Sequence, residues 1–169
     1  MKAKGDADRR ESFQLEIRGK DGCKGVFAKE DLLMNSVFRL GGVVFSHPDR
    51  HSLQLGEDRH LHVPTDKNGL ENPDFFWRYL NHSCRPNGYI NTARLTFVTL
   101  REISKGEECT FNYLTTEAEM AVPFTCRCGA VGCFGLIRGS AHLSEAQKEK
   151  LVASAPSRPP SRDSEVAES

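Results

Sequence analysis

The sequence predicts a mostly β domain with little helix. Three observations carry that expectation. Apolar and polar residues alternate in short runs, turn signals separate those runs, and only two stretches have the spacing and capping of a helix. Phe13, Leu15 and Ile17 alternate with polar neighbours, the pattern of a half-buried strand. Gly22-Cys23-Lys24-Gly25 has the composition of a turn, and Val26-Phe27-Ala28 follows it as an apolar run. Gly41-Gly42 divides the apolar stretch Val37 to Phe45 into two strand pieces. Leu53 with Leu55, and Leu61 with Val63, mark two more short strands. Pro64 to Pro73 is loop-like. Asp74 can cap a short helix through Phe75, Phe76, Trp77 and Leu80. Leu95 and Phe97 belong to a further strand, and Ser104-Lys105-Gly106 turns into Glu108 to Phe111. Ser144 caps a second helix running to Val152.

Composition narrows the function. Lysine plus arginine, 23, equals aspartate plus glutamate, 23, so formal charge is zero. A neutral chain has no general attraction for bulk nucleic acid or an anionic membrane surface. No apolar run is long enough to span a bilayer. Met1 to Glu11 is charged and lacks the apolar segment of a secretory signal, so a reducing, intracellular compartment is expected. Residues 1–11 form a polar extension, 12–118 the main domain, 119–139 a cysteine module, and 140–169 a tail. The tail is a short helix followed by a Ser- and Pro-rich segment of disordered composition.

In a reducing compartment, clustered cysteines serve metal binding or catalysis more often than disulfides. Three of the six fall within eight residues: Cys126, Cys128 and Cys133, spaced C-x-C-x4-C. Gly129 and Gly132 let that loop curl so the sulfurs converge. Zinc favours four tetrahedral ligands. Three would leave an open, catalytic corner, and a fourth cysteine would close a structural site. Cys84, in the tight Ser83-Cys84-Arg85-Pro86 turn, is the best fourth ligand, with Cys23 and Cys109 as the other options. The histidines His47, His51, His60 and His62 are scattered over strand and loop positions, which favours ordinary structural roles over a second metal site.

Asn81-His82-Ser83-Cys84-Arg85-Pro86-Asn87 is a polar run directly after the aromatic stretch from Phe75 to Leu80. Polar groups so close to a buried segment need partners from protein or ligand. Four motifs, in order, resemble the SET-domain protein-lysine methyltransferases with a post-SET zinc module: Lys24-Gly25-Val26-Phe27-Ala28, Arg78 to Asn87, Gly106 to Tyr113, and Cys126-Arg127-Cys128 with Cys133. The resemblance covers residues 12–138. It implies a SET fold: several small curved β-sheets, a knot-like C-terminal thread, short helices and a zinc loop.

The same resemblance implies the site. Lys24, Gly25, Val26 and Phe27 would hold the amino-acid end of S-adenosylmethionine by their backbone, and Tyr79 and the Asn81 side chain would join them. His82 would meet the adenine mainly through its backbone, with Leu136 nearby. Tyr113 would be the catalytic tyrosine. Cys84, Cys126, Cys128 and Cys133 would hold one structural zinc ion. Trp77, Phe75 and Phe76 are expected in the core. Two features depart from the family pattern. Cys23 replaces an early glycine, and the stretch Phe45 to Val63 has no tyrosine to line the lysine channel, leaving His51 as the replacement available there. The implied substrate is a protein presenting a lysine, such as a histone-like tail. Neither nucleic acid nor membrane is a direct partner, and the chain would act as a monomer. The compartment would be the nucleus in a eukaryote and the cytoplasm in a bacterium. The alternative is a catalytically inactive, zinc-stabilised SET-type module that binds a peptide.

Overall fold

The structure, a computed structural model, describes residues 14–20, 23–64 and 73–156. The expected N-terminal extension, Phe13, most of the loop from Pro64 to Pro73 and the end of the tail lie outside the described residues. The strands are short and fall into several small sheets.

The largest sheet has the order β1-β2-β10-β7. β1 (Leu15–Lys20) pairs antiparallel with β2 (Cys23–Ala28), and β2 pairs with β10 (Glu108–Phe111). β10 then runs parallel to β7 (Asn81–His82), with Thr110 opposite Asn81 and Phe111 opposite His82. This places the polar motif beside the C-terminal end of β10. The expected turn over Gly22–Gly25 differs here. Cys23, Lys24 and Gly25 already belong to β2, because each finds a register partner on β1.

β3 (Val37–Arg39), β8 (Gly88–Asn91) and β9 (Thr96–Thr99) form a second sheet in the order β3-β9-β8. β4 (Val43–Phe45), β5 (Leu53–Gly56) and β6 (Arg59–His62) form a third, in the order β4-β6-β5. Gly41-Gly42 therefore does more than interrupt a strand: it moves the chain from one sheet to another. Leu95 falls in the turn before β9 rather than in the strand, with a left-handed φ of 51°.

The 3-10 helix Pro73–Tyr79 presents its aromatic residues to the core. Phe38, Phe76 and Phe97 meet with ring centroids 6.3 to 6.4 Å apart, in edge-on and tilted packing. Trp77 is buried, and its indole N–H donates to the Gly41 carbonyl at 2.8 Å, which fixes the turn between β3 and β4. Phe75, Phe76 and Trp77 thus sit in the core, as expected from sequence. Asp74 lies in the first turn of this helix, not before it, where its charge suits the helix dipole.

β11 (Phe124–Thr125) and β12 (Leu136–Ile137) pair into a small hairpin that brackets the cysteine loop. The helix α1 (Glu145–Ala153) follows. Ser144 and Gln147 bond each other's backbone in a capping box, as the sequence predicts. A second small core joins Leu114, Phe134 and Ile137, with Cys84, Met120 and Leu151 packed against it.

Candidate active site and metal centre

Four sulfurs converge from two distant parts of the chain. Cys84, Cys126, Cys128 and Cys133 have Sγ atoms all within 4.8 Å of one another. Cys84 Sγ lies 3.7 Å from both Cys126 and Cys133. A tetrahedron with zinc–sulfur arms of about 2.3 Å has sulfur–sulfur edges of about 3.8 Å. The donor set therefore fits zinc by element type, number and spacing. Backbone N–H groups of Phe134, Cys128 and Gly135 each point at a ligand sulfur from 3.4 Å and favour the thiolate form. Gly129 and Gly132 take left-handed φ values of 69° and 76°, which lets the loop curl around the site.

Burial pushes the Cys84 thiol far above its ordinary pKa. Burial also raises Cys128, but hydrogen bonds from the Ala130 and Cys84 backbone and from neighbouring sulfurs outweigh it and bring that thiol down to about 6. A bound cation would let the four sulfurs be thiolates together. Cys23 is exposed and Cys109 wholly buried. Neither joins the cluster, and all six cysteines are free thiols. Burial raises Cys109 to about 12, as for an inert core thiol.

The polar motif meets β2 on the other side. Asn81 Nδ2 donates to the Lys24 carbonyl at 3.0 Å and to Glu108 Oε1 at 2.7 Å. The β2–β10 ladder ends at Val26 and Cys109, so the Lys24-Gly25 backbone stands past its last pair. A Cβ at Gly25 would come within 2.4 Å of Glu108 Oε1 and 3.1 Å of Asn81 Nδ2. A side chain there would have to displace the Glu108 carboxylate. Lys24 holds its ammonium 5.4 Å above the Tyr79 ring. Val26 is wholly buried, and Phe27 is covered by the Arg18 guanidinium at 5.2 Å. Leu136 is half exposed and pairs with Thr125, next to Phe124. Phe124 in turn touches the His82 ring, 5.6 Å between centroids. Asn81 thus contacts Lys24 directly, and Leu136 approaches His82 through the neighbouring Phe124.

Tyr113 begins the 3-10 turn Tyr113–Thr115 immediately after β10. Its hydroxyl donates to the Leu80 carbonyl at 2.6 Å. Burial, with Glu117 and Glu108 nearby, pushes its pKa up to about 12, so the phenol is neutral at physiological pH. The ring packs between Phe111, His82 and Phe124 at 4.9, 5.3 and 6.0 Å. Tyr113 also lines a cleft of about 540 Å³ between the β4-β6-β5 region and the segment from Glu117 to Phe124. His51 lies in the wall of the same cleft.

This combination of β2 glycine, asparagine-histidine strand, terminal tyrosine and cysteine loop agrees with the comparison to known families. The SET domain family matches residues 23–114. The chain belongs to the SET-domain family.

The chain is 32% identical over 143 residues to a "Histone-lysine N-methyltransferase, H3 lysine-36 specific" of Gibberella zeae, covering 73% of this chain and 15% of that protein. A protein of the same name from Coccidioides immitis is 30% identical over 139 residues, 73% of this chain and 14% of its own length. "Methyltransferase flvH" of Aspergillus flavus is 44% identical over 64 residues, 37% of this chain and 36% of its own. The chain thus spans only a minor part of each of these relatives.

Several SET-domain contacts had no sequence signal of their own. Glu108 anchors Asn81, but its side alternation on β10 could not reveal that partner. Gln54 is tied to the Glu117-Ala118 segment: Glu117 Oε1 accepts from the Gln54 N–H at 2.9 Å, and Gln54 Oε1 accepts from the Ala118 N–H at 2.8 Å. Sixty-three residues separate the pair, so only the fold brings it together. Asn87 is buried and ties its loop to β10, donating to the Glu108 carbonyl at 2.8 Å and accepting from the Thr110 N–H at 2.9 Å. His47 and His60 flank His62. The His62 ring faces Asp49 at 3.0 Å and the His47 carbonyl at 2.8 Å, a structural arrangement and not a metal set.

Proposed function

We propose that this SET domain is an S-adenosylmethionine-dependent protein-lysine N-methyltransferase acting on a lysine in a basic, histone-like segment. The observation that carries this reading is the position of Tyr113. It stands between the Asn81-His82 strand and the open cleft, with its phenol proton committed to Leu80. The hydroxyl oxygen keeps its lone pairs for a group arriving through the cleft.

The bound cofactor would supply an electrophilic methyl group on a positively charged sulfur. Lys24, Gly25 and Asn81 would hold its amino-acid end. His82 and Leu136 would flank its adenine. A substrate lysine must be neutral to attack, and free lysine is mostly charged at neutral pH. Burial beside Phe111, Tyr113 and Phe124 disfavours the ammonium form. The Tyr113 oxygen would accept a hydrogen from the amine and aim its lone pair. It would also make weak CH contacts to the polarised methyl group. Positioning is therefore the main contribution of the protein. His51 would serve in the cleft wall where a second tyrosine is missing. Cys84, Cys126, Cys128 and Cys133 would hold one structural zinc.

The names of the Gibberella and Coccidioides relatives support a histone substrate and hence the nucleus in a eukaryote. No helix among the described residues is long and apolar enough to cross a membrane. Incubation with labelled S-adenosylmethionine and a panel of basic proteins tests the reading. Wild type should label lysine, and Tyr113→Phe should label it about 100-fold more slowly. No transfer by wild type, or equal transfer by the variant, overturns it.

A further inference from the structure

His82 has a side chain that the cofactor reading does not use. Its ring lies edge-on to both Tyr113 and Phe124, half-buried between the two sites. Its Nδ1 accepts the Tyr113 backbone N–H at 3.1 Å. A ring nitrogen that accepts a hydrogen bond carries no proton, so in the neutral imidazole the proton sits on Nε2. Nε2 lies 3.3 Å from Cys84 Sγ. An Nε2–H at that distance donates to the sulfur. The same sulfur accepts the Phe134 backbone N–H, so Cys84 has donors on two sides.

We infer that His82, as its Nε2–H tautomer, is a positioning residue that bridges the Cys84 thiolate of the metal centre to the backbone of Tyr113. One ring then holds two ends. A donor to a ligand sulfur orients it and stabilises its charge, the role that outer partners of metal ligands commonly fill. An acceptor for the Tyr113 N–H fixes the start of the 3-10 turn, and with it the direction of the phenol. The Tyr113 hydroxyl bond to Leu80 closes the arrangement on the same strand junction. Metal occupancy and tyrosine placement become linked through one side chain, without contact between the ion and the substrate. The consequence for catalysis rests on the methyltransferase reading; the bridge itself does not.

Two variants separate hydrogen bonding from packing. His82→Phe keeps a ring against Tyr113 and Phe124 and removes both bonds. His82→Gln offers an amide oxygen to the Tyr113 N–H and an amide N–H to the Cys84 sulfur. Zinc-loaded protein is challenged with a chromogenic chelator, and folding is checked by circular dichroism. His82→Phe should bind zinc about 10- to 100-fold more weakly. It should also lower kcat with little change in substrate KM. His82→Gln should recover most of both. Zinc held by His82→Phe as tightly as by wild type overturns the bridge, as does a His82→Gln variant no better than His82→Phe. Should His82→Phe fail to fold, long-range ¹H–¹⁵N spectra of zinc-loaded wild type decide the matter. The His82 ring must show its proton on Nε2, and an Nδ1–H pattern overturns the inference. If wild type transfers no methyl group, the enzymatic reading falls, while the zinc and tautomer measurements still judge the bridge.

Discussion

Tyr113 shows how one residue can be legible as a type and opaque as a geometry. The sequence places it after Thr110-Phe111-Asn112, at the end of an alternating strand. The structure adds the Leu80 carbonyl, the aromatic cage and the cleft. Removing its hydroxyl should cost on the order of 10²-fold in kcat, the scale of a lost positioning contact. A second measurement is independent of substrate. The phenol pKa is raised from 10 to about 12, chiefly by burial. A raised pKa means the folded state holds the proton more tightly. The associated stability is present below pH 10 and is lost as pH rises through about 12. Alkaline absorbance titration of wild type should show a phenolate step near 12 that Tyr113→Phe lacks.

At the scale of elements, the shared feature is the junction of β7 and β10. Asn87 is the residue that holds the loop after β7 onto β10. Replacing it with alanine strands the Glu108 carbonyl and the Thr110 N–H. At about 1–3 kcal/mol for each of the two unsatisfied buried groups, Asn87→Ala should cost about 2–6 kcal/mol in denaturant unfolding. That is a large share of a typical domain's stability. The sequence marked Asn87 as part of the polar motif but gave no partner. Its partners sit more than twenty residues away, on a strand whose register only the folded sheet defines. The hairpin of β11 and β12 is the other element that matters. It carries Phe124 to the Tyr113 ring and Cys126 to the metal centre within three residues.

At the scale of the molecule, a second small core packs against Cys84 and Cys126 of the cysteine centre. The second core takes Leu114 from the main domain and Phe134 and Ile137 from the cysteine module, so the boundary expected near 118 runs through a packed cluster. Cys84→Ser should abolish tight zinc binding, measured by metal analysis. Chelation of the wild-type protein should expose this second core to hydrogen exchange and weaken cofactor binding together with metal loss. Exchange protection unchanged after zinc removal would contradict the coupling. The cleft beside Tyr113 carries Asp49, Glu57, Asp58, Glu117 and Glu119 against Arg50 and Arg78. A basic substrate segment should therefore be held partly by charge, and its KM should rise as salt is added. A salt-independent KM would argue against that contribution.

The sequence by itself determined the β class, the helix cap at Ser144, the core role of Phe75, Phe76 and Trp77, and the family. It also nominated Cys84 as the fourth ligand. These features depend on local alternation, capping chemistry and motif spacing, which are written in consecutive residues. Only the tertiary structure decided what meets across distance. It moved Cys23 to Gly25 from turn to strand, because β1 offers them partners. It brought Glu108 to Asn81 and tied Gln54 to Glu117. It also set His82 between Tyr113 and Cys84. The Asn81–Glu108 contact depends on the parallel pairing of β7 with β10, and the Gln54–Glu117 contact joins residues 63 apart in the chain. No local pattern encodes them: a one-residue change of register would turn every such side chain to the opposite face.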